Sequence, residues 1–288
     1  MRKQVAQVFT QYRVLLFSIA YRMLGSATDA EDIVQEAFVR WLQESPAELQ
    51  SPKAYLSTIV VRLCINELHS ARVQHERYMG PWLPEPLLTS QCSEQTDTAA
   101  LAESVSFAFL ILLENLAPLE RAVFLLHDVF DYGYTEIAAL IEKSEANCRQ
   151  ILHRARQRLG QRRSRFNVSN DQQEYIAAQF LRASTSGDMQ GLLQLLTDDV
   201  VFTADSGGKV RAALKPVHGP DKVTRGLLGG LHLPSRNLRA SIEEINGQPA
   251  IVGYLDDRLY GVVLFETDGE RVHRVYVVVN PEKLRWLK

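Results

Sequence analysis

Five side chains at the start of one short segment, Asn147, Arg149, Gln150, His153 and Arg154, carry the groups that read the edges of DNA bases. A guanidinium matches the paired acceptors of guanine, and a carboxamide matches the donor and acceptor of adenine, so this set suits a major groove. That chemistry is recognition; it breaks no bond. From Arg149 to Arg165 there are seven arginines and no acidic residue, a run that neutralises phosphates. A solvated basic helix in a bundle carries such a run too, so the spacing has to decide. Cys148, Ile151, Leu152, Ala155 and Leu159 recur at helical period and predict one buried stripe, with the five polar side chains left outside it. Ahead of them, Thr135 is placed to cap a helix containing Ile137, Ala138 and Ile141. Lys143-Ser144 forms the break before a second cap at Ser144. Short helix, tight turn and basic helix in that order make a helix-turn-helix.

The rest of the chain must position and regulate that reader. With 288 residues, 46% of them hydrophobic, it is long enough for two or three domains with cores of their own. A net charge of -2 looks wrong for a DNA binder, but the charge is segregated. Between Arg77 and Arg121 there is no Lys or Arg, whereas Glu85, Glu94, Asp97, Glu103, Glu114 and Glu120 lie in the gap. An acidic linker over 79–105 therefore hides a basic reader from the average. The three cysteines, Cys64, Cys92 and Cys148, are far apart and lack ligand spacing. They point to a reducing cytoplasm, with no metal site and no cofactor. No apolar run reaches membrane-spanning length, and no secretory signal is expected at the N-terminus.

The first 75 residues read as helices. One covers Gln4 to Leu24 and ends at Gly25, and Thr28-Asp29-Ala30-Glu31 is expected to open the next as a capping box. Its apolar stripe is Val34, Ala37, Phe38, Trp41 and Leu42, which leaves Asp32, Gln35, Glu36 and Arg40 outside as a face that is acidic at one end. Ser51-Pro52 starts a third helix to about Ser70, with Leu56, Ile59, Val60 and Leu63 expected inside. Tyr55, Thr58, Arg62, Asn66 and His69 fall on another face. An aromatic and an arginine on one stripe with hydrogen-bonding groups suit unpaired bases, which stack on such planes.

These segments resemble the extracytoplasmic-function sigma factors of the sigma-70 family. Residues 20–42, with Asp29, Asp32, Gln35, Glu36, Phe38 and Trp41, are similar to regions 2.1 to 2.2. Residues 51–72 are similar to regions 2.3 and 2.4, and residues 114–163 to region 4, including His153-Arg154-Ala155-Arg156. The resemblance implies region 2 over 1–78 and region 4 over 106–166. It also implies partners: Asp32, Gln35 and Glu36 would bind the clamp helices of the largest subunit of core RNA polymerase. Tyr55, Thr58, Arg62, Asn66 and His69 would open and hold the -10 element of promoter DNA, and the Arg149 helix would read the -35 element. The third helix departs from the family's usual Asn-x-x-x-Asp-x-x-Arg pattern, having Arg62, Asn66 and His69 instead.

Three short strings are similar to signatures of the subgroup that carries a C-terminal SnoaL-like domain. They are Trp82-Leu83-Pro84-Glu85-Pro86, Asp205-Ser206-Gly207-Gly208-Lys209 (Ser206 replacing a glycine) and Asn280-Pro281-Glu282-Lys283-Leu284. The expected architecture is two all-α sigma domains followed, over 171–288, by an α+β cone with a curved antiparallel sheet. Helices are read over 172–186, 188–196 and 221–231, and strands over 200–204, 209–215, 238–245, 249–255, 258–266 and 271–279. Asn246-Gly247, Asp256-Asp257 and Asp268-Gly269 separate the last four. Trp82, Pro84, Glu85, Asp205, Lys209 and the string from Asn280 to Leu284 are the expected contacts by which the cone controls the sigma portion. Fifteen acidic and fourteen basic side chains over 171–288 argue against DNA binding by bulk charge. Such cones also host small-molecule enzymes. Asp205, His218, His232, Tyr254 and Tyr260 are conceivable acid-base groups, but no paired carboxylates or activated nucleophile stand out. The reading is thus a non-enzymatic initiation factor with intramolecular regulation. A ligand-binding or catalytic cone and a helix-turn-helix repressor are the alternatives.

Overall fold

The computed structural model describes residues 2–43, 51–75, 78–89, 106–160, 168–231 and 237–287. These gather into two compact units, one of residues 2–75 with 109–160, the other of 78–89, 106–108 and 168–287.

The first unit is helical: α1 (Arg2–Leu24), α2 (Ala27–Gln43), α3 (Pro52–His75), α4 (Phe107–Leu113, whose first turn belongs to the second unit), α5 (Pro118–Phe124), α6 (Tyr134–Ile141) and α7 (Glu145–Gly160). Gly25 stops α1 in the left-handed region at φ +66°, which a residue without Cβ adopts freely. The cap of α2 is Ser26, whose Oγ accepts from the Asp29 amide at 3.1 Å. This corrects the Thr28 box: the helix begins one residue earlier, at Ala27. Leu42 is also corrected, being 45% exposed, because the buried stripe of α2 ends at Trp41. Helix α3 packs against α1 and α2 on one side and α5 and α6 on another. Ser57, Val61 and Cys64 are therefore buried as well as Leu56, Ile59 and Val60, while Leu63 is only half-buried. A helix with neighbours on two sides buries more than one stripe.

In the second unit α8 (Asn170–Ser186), α9 (Met189–Leu195) and α10 (Pro220–Leu231) accompany a six-stranded sheet. Its strands are β1 (Leu196–Asp205), β2 (Val217–His218), β3 (Leu238–Ile245), β4 (Gln248–Leu255), β5 (Arg258–Thr267) and β6 (Val272–Val278), in the order β2-β1-β6-β5-β4-β3. All neighbours are antiparallel except β1 and β6. Strands β3 to β6 form the expected meander, with Asn246 and Gly247 both at positive φ in the first turn. Ile176, Phe180, Leu192, Val200, Ile251 and Phe265 belong to the core between helices and sheet. The expected strand over 209–215 is absent: that segment is a loop, and only Val217–His218 pairs with β1. Gly207 and Gly208 turn the chain out of β1 at φ +55° and +71°, and the loop instead lays Leu214 against Gly80. Among the described helices none is long and apolar enough to cross a membrane.

Candidate nucleic-acid interface and linker lock

Helix α7 leaves the five side chains expected to read bases outside its buried stripe. Cys148, Ile151, Leu152, Ala155 and Leu159 are buried, and Asn147, Arg149, Gln150, His153 and Arg154 are exposed. Ser144 caps the helix through Asn147 N at 3.2 Å. Thr135 does not cap α6. Gly133 occupies that position, with its amide donating to the Glu136 carboxylate at 2.8 Å. The Thr135 hydroxyl instead donates to Glu145 at 2.7 Å. This bond and the Arg149 guanidinium, 2.9 Å away, hold the Glu145 carboxyl below its usual range. Glu142 ends α6 in the left-handed region at φ +54° and makes the turn.

The arginines divide into two kinds. Arg156 grips Asp128 with two bonds of 2.9 and 2.6 Å, and Arg158 reaches Glu120 at 2.5 Å, so both fasten α7 to the preceding helices. Arg149 lies over the Tyr134 ring at 4.8 Å besides pairing with Glu145, which fixes its direction. Arg154 makes no ion pair among the described residues and stands exposed beside His153. Arg162, Arg163 and Arg165 lie outside the described residues.

On α2, Asp32, Gln35 and Glu36 are exposed; Glu36 pairs with Arg40 at 2.9 Å, and Val39 is 49% exposed beside them. The stripe on α3 is less open. Tyr55 is half-buried against Trp41, and the Thr58 hydroxyl donates to the Ala54 carbonyl of its own helix. Arg62 is held by α6, donating to the Leu140 carbonyl at 3.2 Å and pairing with Glu142 at 2.9 Å. Asn66 and His69 remain exposed. Sequence reasoning missed what joins α3 to the helix-turn-helix: a buried hydroxyl pair, Ser57 with Tyr132 at 2.8 Å. It also missed the buried Arg121, which donates to the Met23 carbonyl at 2.6 Å and to Glu114 at 2.8 Å. These partners lie 75 and 98 residues apart, and no local pattern marks them.

In the second unit the three signature strings meet at one buried ion pair. Lys283 Nζ stands 2.7 Å from Asp205 Oδ2, with side chains 7% and 0% exposed. Asp205 also accepts from the Tyr78 hydroxyl (2.5 Å), the Leu83 amide (2.8 Å) and the Gly207 amide (3.1 Å), so both its oxygens are satisfied. Lys283 donates to the Leu83 carbonyl at 2.5 Å and lies over the Trp82 ring at 4.0 Å. Asn280 donates to Tyr78 at 2.9 Å, and Glu282 pairs with Lys209. Burial, and then the bond to Asp205, drive the Tyr78 phenol well above its ordinary value, keeping it a donor. A Cβ on Gly207 would fall 2.5 Å from the Asn280 amide nitrogen, so the closeness of the strings itself demands glycine there. Pro84, Glu85 and Leu284 are buried in the same region, and Pro281 is exposed. The linker strand continues along the cone: Leu87 and Asn246 exchange two bonds of 2.8 and 3.0 Å, and Thr89 donates to the Glu244 carbonyl.

Among the described residues, Asp205, His218 and Tyr254 are not gathered at one place. Asp205 is consumed by the lock, His218 is exposed on edge strand β2, and the Tyr254 hydroxyl donates to Glu243. Strands β6 and β5 separate β1 from β4, and His232 lies outside the described residues. Cys64 and Cys148 are buried free thiols, each with its pKa raised chiefly by burial.

Residues 8–73 match the model of sigma-70 region 2, and residues 107–159 that of sigma-70 region 4. Fold and site thus define a sigma-70-type chain, two helical modules with a helix-turn-helix, to which an α+β domain with a six-stranded sheet is joined. Over 290 residues the chain is 34% identical to the ECF RNA polymerase sigma factor SigJ of Mycobacterium tuberculosis (strain H37Rv), covering 96% of this chain and 91% of SigJ. Identity to the probable ECF RNA polymerase sigma factor SigI of the same strain is 31% over 282 residues, 97% of this chain and 94% of SigI. The crystal structure of SigJ superposes with a TM-score of 0.74 at 29% identity, over 97% of this chain and 98% of SigJ. The chain belongs to the ECF RNA polymerase sigma factors.

Proposed function

We propose that the protein directs core RNA polymerase to a set of promoters, working with it in the cytoplasm, and that its cone regulates this work. Helix α7 reads the -35 element through Asn147, Arg149, Gln150, His153 and Arg154. The α3 face from Tyr55 to His69 engages the -10 element, and Asp32, Gln35 and Glu36 dock on the clamp helices of the largest subunit. The observation that supports the reading is the division of α7, in which the guanidinium groups of Arg156 and Arg158 are engaged by Asp128 and Glu120 while Arg154 makes no ion pair among the described residues and stands exposed with its polar neighbours. No step of covalent chemistry is assigned to the chain; the polymerase supplies that.

Two features make the protein regulable. The two promoter elements lie about 25 base pairs apart by their names, on the order of 85 Å along B-DNA at 3.4 Å per step. The Ser57–Tyr132 bond and the Arg62 contacts hold α3 directly against the helix-turn-helix, so the first unit has to open before both elements are occupied. Meanwhile the chain leaving α3 passes through the lock at Asp205 and Lys283, so the cone governs how much tether is free for that opening. Reversing Asp32 and Glu36 to Lys tests the assignment. Both are exposed, so folding should be kept while affinity for core polymerase falls at least tenfold at moderate salt. Unchanged core affinity would remove α2 from the docking surface.

A further inference from the structure

The balance of charge in the cone conceals a second segregation. From Ser206 to Arg225 there are five cationic side chains, Lys209, Arg211, Lys215, Lys222 and Arg225, against one acidic, Asp221. The remainder of 171–288 holds nine cationic against fourteen acidic. Lys209 is neutralised by Glu282. The other four are exposed and make no ion pair among the described residues. Topology gathers the four at one edge. Arg211 and Lys215 lie in the loop entering β2, the outermost strand, and Lys222 and Arg225 lie in the first two turns of α10 leaving it.

The exposed face of α10 has a second peculiarity. Lys222, Arg225, Gly226 and Gly229 fall at helical spacing on one side, all exposed, and a Cβ on either glycine would meet nothing within 4 Å. Each glycine costs an exposed helix about 1 kcal/mol relative to Ala. Packing does not ask for them, but a flat cationic face lets a polyanion come close. Among the described residues the face holds no aromatic anchor of the kind on which protein partners concentrate binding energy, and on the proposed function it belongs to a chain that carries its own DNA reader, so DNA is present at high effective concentration.

We infer that this edge of the cone, Arg211, Lys215, Lys222 and Arg225, is a sequence-independent contact for the phosphate backbone of the DNA that α7 reads. The inference rests on the sigma-factor reading, which the experiment tests separately. Holoenzyme is assembled from the full chain and core polymerase, and its affinity for a promoter duplex selected from genomic fragments is measured between 50 and 200 mM salt. Each phosphate contact contributes about 0.9 to the slope of log K against log salt. The variant R211Q/K215Q/K222Q/R225Q should flatten the slope by about 3 to 4, and R225Q by about 1, with promoter preference over a scrambled duplex unchanged. In parallel, R149A/R154A should lose that preference. An unchanged slope in the quadruple variant overturns the inference while leaving the reader intact, and so does an unchanged slope accompanied by weaker core binding, which would make the partner polymerase. If R149A/R154A also keeps its preference, the failure lies with the sigma-factor reading. Thermal melting of the variants, all changed at exposed positions, verifies that they fold.

Discussion

Helix α7 and the Asp205–Lys283 lock both depend on paired charges, but one keeps them in water and the other keeps them out of it. In α7 the Arg149–Glu145 pair is 55% and 40% exposed, and exposed pairs contribute about 0 to 1 kcal/mol. Such a pair orients a side chain and yields readily when a base or phosphate offers better bonds. In the lock both charges are buried with every oxygen of Asp205 satisfied. A buried pair adds little over an apolar substitute, but removing one partner strands the other. On the proposed function, recognition would rest on weak, redirectable contacts, and the tether on contacts that hold fully or fail together.

The largest effect is expected at the lock. Lys283→Met leaves Asp205 buried without its cation and should cost the second unit about 3–5 kcal/mol in denaturant unfolding, with Asp205→Asn added to it restoring part of the loss. Promoter-dependent transcription should change as the linker strand detaches, while core binding persists. A cost below about 1 kcal/mol would make the lock equivalent to a surface pair and erase the contrast.

A smaller effect sharpens the division within α7. Arg154→Ala should weaken promoter binding by about 1–3 kcal/mol and relax preference at one -35 position, with stability nearly unchanged. Arg156→Ala should instead lower the melting temperature slightly and leave base preference alone, since its guanidinium is spent on Asp128. If the two variants exchange behaviours in a promoter-library selection, the division is wrong.

The smallest effect concerns the contact between α3 and the helix-turn-helix. Tyr132→Phe leaves the Ser57 hydroxyl buried without its partner, at a cost of about 1 kcal/mol. Because the change favours separation of the two modules, it should raise the fraction of open protein read by a pair of fluorophores on α3 and α7. Equal fractions in both proteins would show that this bond does not restrain opening.

How legible each region was follows from the range of its contacts. The buried stripe of α7 obeys a period of a few residues, and the sequence pattern specified all five of its members. The same pattern gave no way to separate Arg154 from Arg156 and Arg158, because the carboxylates that fasten the latter two lie 28 and 38 residues upstream. The lock joins Asp205 to groups 122 and 78 residues away; only the resemblance of three strings to known signatures points to them, while Tyr78 carries no local signal and Asn246 reads as a turn residue without its bonds to Leu87. Alternating residues between Lys209 and Lys215 imitate a strand, but the segment spends its surface on Gly80 and pairs with nothing until Val217. Thr135 has the residue type of a cap, yet the Glu136 carboxylate reaching Gly133 supplies one without it.

A chain that confers promoter choice on a polymerase must show it in run-off transcription with purified core polymerase on a set of genomic promoter fragments. Defined start sites should be absent with core polymerase alone, appear when the chain is added, and disappear with the R149A/R154A variant. Promoter-specific binding of the chain without core polymerase, together with no start sites when the two are combined, would contradict that role.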